Sequence, residues 1–139
     1  MLFDVWLVSR AATGLLDDAL GPSGLSAEEF AIYSVLSSAD VMTPSDLARW
    51  MAAPPTSVSS YVKRLAARGH LRRERNPDDG RSFVLRLTPE GRAAHLAAVE
   101  CFVPVLDGVV TSLGRREPAV RRALADLRVA LDELDERND

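Results

Sequence analysis

Two stretches of the chain alternate with a period of two, and they are neighbours. Leu71, Arg73 and Arg75 alternate with Arg72 and Glu74; Phe83, Leu85 and Leu87 alternate with Val84 and Arg86. Strand side chains point to opposite faces in turn, so each run reads as a short strand. Asn76-Pro77-Asp78-Asp79-Gly80 joins them with turn-forming residues, which makes the pair a hairpin. A lone two-stranded hairpin is marginal in water and has to lie against something else. Helical patterns precede and follow it, so the fold class is mainly α, and α+β only by the hairpin. Arg81 stands at the start of the second run, at the hairpin tip, where packing has no use for an arginine.

The helices are marked by seams and caps. Met1, Val5, Val8, Ala12, Leu15 and Ala19 recur at spacings of four and three, and Leu2, Trp6, Leu16 and Leu20 form a second stripe beside them. A helix apolar on two faces is expected to be buried by more than one neighbour. Gly21-Pro22-Ser23-Gly24 ends it. Ser26-Ala27-Glu28-Glu29 is a capping box, and Phe30, Tyr33, Val35 and Leu36 make the helix behind it apolar. Thr43 caps a third helix with Pro44 at its first position, and Leu47, Ala48 and Met51 face inward. Ala53-Pro54-Pro55 breaks the chain, and a fourth helix begins near Pro55. Beyond the hairpin, Thr88-Pro89-Glu90 opens a long helix with the seam Leu96, Val99, Val103, Leu106, Val110 and Leu113; Pro104 inside it is expected to kink it. A last helix begins near Pro118, with Val120, Leu124, Leu127, Leu131 and Leu134 inward.

The fourth helix, PTSVSSYVKRLAARG, places Val58, Val62 and Leu65 on one face, with Tyr61 at its edge. Thr56, Ser60 and Lys63 fall opposite, flanked by Ser57, Ser59 and Arg64. Surface helices more usually carry long Glu and Lys side chains; small hydroxyls let a partner approach closely. Gly69 is expected to close this helix. Charge sharpens the point. The net charge of −3 conceals ten basic against five acidic residues between Thr43 and Arg92, a net +5, so the flanks together carry −8. A basic middle between acidic ends is the footprint of a polyanion-binding surface.

Two short helices joined by a tight turn and followed by a basic hairpin form a winged helix-turn-helix. Its second helix suits the major groove, and a guanidinium on a thin hairpin suits the narrow, negative minor groove. The candidate DNA-binding residues are Thr56 and Ser57 at phosphates, Ser59, Ser60, Lys63 and Arg64 at the major groove, and Arg73, Arg75, Asp79 and Arg81 on the wing. Within one domain, 1–139, the winged lobe is expected over 26–92 and dimerisation helices over 1–20 and 93–136. The terminal helices carry more apolar face than a lone winged domain can cover, so a homodimer on double-stranded DNA is expected.

The wing resembles that of the MarR family of transcriptional regulators, which carries D-x-R, five residues, then L-T. Here Asp79-Gly80-Arg81 is followed by Ser82 to Arg86 and then Leu87-Thr88, and Arg75, Pro77 and Gly91 also fit. Helix order and length match over essentially the whole chain. The resemblance implies a triangular homodimer with interlocked terminal helices that reads a pseudo-palindrome. It also implies a repressor released by a small phenolic or other aromatic effector, or by oxidation. The family's paired Asp and Arg assign Asp79 to orienting the guanidinium of Arg81 or Arg75; plain turn chemistry is the alternative. Oxidation-sensing members use a cysteine near the first helix, where this sequence has none; Cys101, between Val99 and Val103, reads as a buried structural thiol.

Trp6, Tyr33, Trp50 and His95 are the candidate effector-binding residues, although core packing accounts equally well for Trp6 and Tyr33. His70 and His95, the two histidines, lack ligand spacing, so neither metal nor cofactor is expected. There is no Gly-rich phosphate loop, no G-x-S-x-G and no H-E-x-x-H, so no enzyme is expected. Asp17-Asp18 and Glu28-Glu29 read as solvated charge. The first residues lack the basic segment of a signal peptide, the apolar stretches read as too short for a bilayer, and a single cysteine suits a reducing cytoplasm. Two other readings stand beside the regulator: a winged-helix protein–protein adaptor, and a small-molecule-binding protein without DNA binding.

Overall fold

The computed structural model describes residues 1–39, 41–135 and 137. Helix α1 spans Leu2–Leu20 and runs into a 3-10 turn, Gly21–Ser23. Then come α2 (Ala27–Ser38), α3 (Pro44–Met51), α4 (Pro55–Ala67), β1 (Leu71–Arg75), β2 (Phe83–Leu87) and α5 (Pro89–Leu113). A second 3-10 turn, Gly114–Arg116, leads to α6 (Glu117–Asp135). The element order is the one expected; the expected helix end at 136 lies outside the described residues. The chain divides into two compact units, Met1–Val103 and Pro104–Asp139.

In the first unit the caps form as their residues dictate. Ser26 accepts from the Glu29 amide while Glu29 accepts from the Ser26 amide, and Thr43 and Asp46 do the same for α3. Each box satisfies two amides that a helix start leaves bare. The turn between α3 and α4 runs through Ala52, at φ 48° the one non-glycine residue with a left-handed backbone among those described. Its amide donates to the carbonyls of Ala48 and Arg49, closing α3. Past the end of α4, Gly69 adopts φ 75° and the His70 amide reaches back to the Leu65 carbonyl at 3.1 Å.

The hairpin is antiparallel, with Leu71 opposite Leu87, Arg73 opposite Leu85 and Arg75 opposite Phe83. Its outer edge is not bare: the Leu85 amide donates to the Met42 carbonyl in the α2–α3 connection, 2.8 Å away. The alternating pattern is only half right for β2. Leu85 and Leu87 are buried as expected, but Val84 is buried too and Phe83 is 53% exposed. The middle of β2 is covered on both faces, whereas its first residue projects with the wing.

Leu20, Ile32, Tyr33, Leu47, Val58, Val62, Leu65, Leu71, Leu85, Leu87 and Ala98 form one buried core. The first turns of α5 belong to it, through Ala98 and the partly buried Ala94, Cys101 and Phe102. Thr88 locks α5 to the wing base: its hydroxyl accepts from the Gly91 amide and donates to the Gly69 carbonyl, and its amide donates to the His70 carbonyl.

Two expectations are corrected. The stripes of α1 are not buried by neighbours within the chain; Leu2, Trp6, Val8 and Leu15 are all about half exposed or more, and Leu20 is its one buried residue. The apolar stretches are also longer than the sequence pattern suggested. The helical backbone of α5 continues through Pro104, and the span Pro89–Leu134 holds a helical stretch long and apolar enough to cross a membrane by length and composition, almost none of it buried within the chain. Charges at Glu100 and Asp107 interrupt the sequence run without lowering its average enough to exclude it. In the second unit, Leu124, Leu131 and Leu134 of α6 are likewise exposed.

A β-carbon at Gly91 would collide with the backbone carbonyl of His70, which cannot swing aside as a side chain could. Gly91→Ala should therefore destabilise the fold by roughly 1–3 kcal/mol. Thermal or urea unfolding measures it; an unchanged midpoint would mean that the wing base yields freely.

Candidate nucleic-acid interface

Helix α4 buries Val58, Val62 and Leu65 and turns Thr56, Ser59, Ser60 and Lys63 to solvent, with Ser57 half-buried. No side chain caps its first turn. Pro55 has no N–H, and the amides of Ser57 and Val58 turn back to the Pro54 carbonyl. The Thr56 amide is thus the first donor left to face outward, at the positive end of the helix dipole, where a phosphate oxygen fits. Ser60 donates its hydroxyl proton to the Thr56 carbonyl, 3.1 Å away, and keeps its lone pairs as acceptors.

Arg64 is half-exposed but not loose. Its Nε meets Glu29 Oε1 at 3.2 Å, and its guanidinium lies 4.7 Å from the centre of the Tyr61 ring. Tyr61 in turn donates its hydroxyl proton to Glu28. Arg68 reaches the other oxygen of Glu29, at 3.0 Å. That hydrogen bond raises the Arg68 pKa above its ordinary value, so the guanidinium stays charged. Glu29 itself is only 4% exposed. The expectation of solvated charge is wrong for it: a carboxylate that loses water needs partners in its place, and two guanidiniums and the Ser26 amide supply them.

The wing divides its charges by face. Glu74 binds Arg72 at 2.7 Å and Arg86 at 2.9 Å, which ties both cations to one carboxylate within the hairpin. Arg73 and Arg75, on the other face, and Arg81, in the loop, are exposed and make no ion pair among the described residues. Asp79 uses its carboxylate on the Arg81 backbone amide, 3.1 Å away, and Asn76 does the same for Asp78 with its side-chain oxygen. No ion pair joins Asp79 to the guanidinium of Arg81 or Arg75 among the described residues. The bond from the Arg81 amide to Asp79 is the contact of a turn: an aspartate two residues before an open amide closes a ring with it at little entropic cost. The loop runs from 76 to 82, longer than the turn read from sequence, and the Asn76 amide bonded to the Ser82 carbonyl at 3.0 Å closes it.

The four candidate effector residues are not brought together by any hydrogen bond or ring contact among the described residues. Tyr33 is fully buried, with its hydroxyl 2.8 Å from His70 Nδ1. Trp6 stacks on Phe3 beneath Arg10, and Trp50 is exposed at the end of α3. His95 lies against Phe30, with Nε2 3.1 Å from the Ser34 hydroxyl. Cys101 is partly buried against the core.

A family model described as MarR family matches residues 23–82, the stretch that holds α2, α3, α4 and the hairpin up to Arg81 and Ser82. The structure is similar to that of the Mycobacterium tuberculosis transcriptional regulator MosR in complex with DNA, with a TM-score of 0.82, 29% identity and 96% of each chain covered. What these comparisons share with the chain is the winged-helix fold and, over residues 23–82, the MarR family pattern. The fold is also that of a mutant Escherichia coli MarR complexed with operator DNA, at a TM-score of 0.77 and 22% identity over 88% of each chain. Among curated relatives, the multiple antibiotic resistance protein MarR of Salmonella typhimurium is 27% identical over 89 residues, 64% of this chain and 62% of that protein. An HTH-type transcriptional repressor of Mycobacterium tuberculosis is 32% identical over 75 residues, 54% of each. The chain spans about three fifths or less of the length of the curated relatives it matches.

Burial lowers the His95 pKa below 6.5. Between that value and the depressed one, the unfolded chain binds more protons than the folded chain, so stability is full above the window and falls as pH drops through it. Melting temperature should fall from about pH 7.5 to about pH 5, and fall less in His95→Gln. Parallel curves for the two proteins would exclude His95 as the source.

Proposed function

We propose that this chain is a DNA-binding transcriptional regulator, a repressor without catalytic activity, that binds a pseudo-palindromic operator in the cytoplasm as a homodimer. The observation that carries the reading is the pairing, within one compact unit, of an uncapped helix start bearing small hydroxyls with a hairpin whose Arg73, Arg75 and Arg81 make no ion pair among the described residues. An adaptor has no use for that combination. Thr56 and Ser57 are assigned to phosphates, Ser59, Ser60, Lys63 and Arg64 to the major groove, and Arg73, Arg75 and Arg81 to the wing contacts, with Asp79 shaping the loop. The similarity to proteins named as transcriptional regulators and repressors supports the same reading.

The homodimer is supported by what the chain leaves uncovered. The exposed apolar residues of α1, α5 and α6 alternate with charges such as Asp4, Arg10, Asp17, Arg121 and Asp132, as a protein-facing helix does and a lipid-facing one does not. A second copy covers them isologously. Release by a small aromatic effector is part of the proposal, with the exposed Trp50 and half-buried His95 as its contacts; Tyr33, sealed in the core, is withdrawn from that set, and Trp6 belongs to the uncovered face of α1.

Arg81→Ala should weaken operator binding, leave the melting temperature unchanged, and flatten the dependence of log affinity on log salt by about one unit. A gel-shift titration on the chain's own upstream DNA at several salt concentrations measures both effects; undiminished affinity would remove Arg81 from the interface. Analytical ultracentrifugation without detergent, at micromolar concentration, should find the dimer. A clean monomer would overturn the assembly, and a sample soluble only with detergent would favour lipid as the cover.

A further inference from the structure

Glu29 is the only buried charged residue among those described, and the DNA-facing assignments do not use it. It belongs to α2, but both of its oxygens are committed to α4. Oε1 takes the Arg64 Nε and Oε2 takes a terminal guanidinium nitrogen of Arg68, while the Ser26 amide donates to Oε2 at 3.3 Å. The carboxylate cannot turn without breaking the capping box of its own helix. Arg64 is held on a second side, because its guanidinium lies over the Tyr61 ring, and Tyr61 is fixed by its hydrogen bond to Glu28. A free arginine on a helix surface sweeps many rotamers and loses that freedom on binding. This one is held on its Nε edge and on one face. The terminal pair of nitrogens is the edge of a guanidinium that matches the O6 and N7 acceptors of guanine.

We propose that Glu29 is a positioning residue for base recognition: it fixes Arg64 so that the terminal guanidinium nitrogens form a reading edge for guanine in the major groove. This rests on the DNA-binding reading above and deepens it. The arrangement also ties the reading edge to α1. Asp17 accepts from the Ala27 amide at 2.7 Å, beside Ser26, so α1 grips the same helix start that holds the carboxylate. A purely electrostatic view of Glu29 makes the opposite prediction, since removing a negative charge close to DNA should tighten binding to every sequence.

The experiment uses the whole chain and the duplex that it selects from a randomised pool, with a scrambled duplex as control. Glu29→Gln keeps the size of the side chain and its acceptor for the Ser26 amide, but turns a donor toward the arginines. It should lower the ratio of selected to scrambled affinity by about tenfold, the low end of what one bidentate base contact supplies. The salt slope should stay as in the parent, and the loss should concentrate at one guanine in each half-site. In an Arg64→Ala background Glu29→Gln should cost no further specificity. Arg64→Lys, at a half-exposed position that folding tolerates, keeps the charge but loses the two-pronged edge, and should show the same loss of ratio even if Glu29→Gln fails to fold. Equal weakening on both duplexes in step with a lowered melting temperature would make Glu29 merely structural, and tighter binding to both would make it merely repulsive; either outcome overturns the proposal. If the parent binds no duplex, the regulator reading falls and takes this one with it. If the parent is selective and Arg64→Lys is equally selective, this proposal alone falls.

Discussion

A buried carboxylate ties α4 to α2. Glu29 has given up nearly all its water, and among the described residues the guanidiniums of Arg64 and Arg68 and one backbone amide compensate for that. Such a cluster adds little net stability compared with a well-packed apolar one, but losing one partner leaves a charge stranded. The interaction is therefore more demanding than strengthening: α2 and α4 must meet so that both guanidiniums reach the carboxylate. The surface that α4 presents inherits its direction from that constraint.

The wing is tied down by a different device, made of backbone. Gly69 turns the chain out of α4, and His70 offers its carbonyl to Thr88 and its ring to the buried hydroxyl of Tyr33. Gly91 lets α5 lie against that carbonyl. The hairpin is thus anchored at its base by hydrogen bonds and one close approach, and edged by the Met42 carbonyl, while its loop is free to present cations. Rigid base and exposed tip suit a probe that must enter a groove without dragging the core with it. Glu74 draws Arg72 and Arg86 together on one face of the hairpin, so the cations that stand without an ion pair among the described residues of the wing are Arg73, Arg75 and Arg81.

The uncovered helices account for the rest of the chain. In α1 one residue is buried, and the apolar seams of α5 beyond the lobe and of α6 lie open. Apolar area of that extent is the mark of a surface made for another surface. The early turns of α5 serve the lobe core through Ala98 and Phe102, so the helix that carries the open seam is rooted beneath the wing. One helix is thereby packed at its start and open farther along.

Much of this was legible in the sequence because it is local. Caps at Ser26, Thr43 and Thr88, the stop at Gly69, the apolar face of α4 and the hairpin each depend on residues within a few positions of one another, and periodicity reports them directly. The bond from the Arg81 amide to Asp79 was legible as turn chemistry for the same reason. What the sequence left open is set across long separations. Burial of Glu29 depends on arginines 35 and 39 positions away, Val84 is buried by a cover on the second face of β2, and Tyr33 is sealed by a histidine 37 residues on. No pattern of spacing carries such pairings, because they arise only when helices that are strangers in sequence are packed together. The chain by itself determined its elements and the chemistry on each face; the tertiary structure decided which charges neutralise one another and which remain to meet a partner.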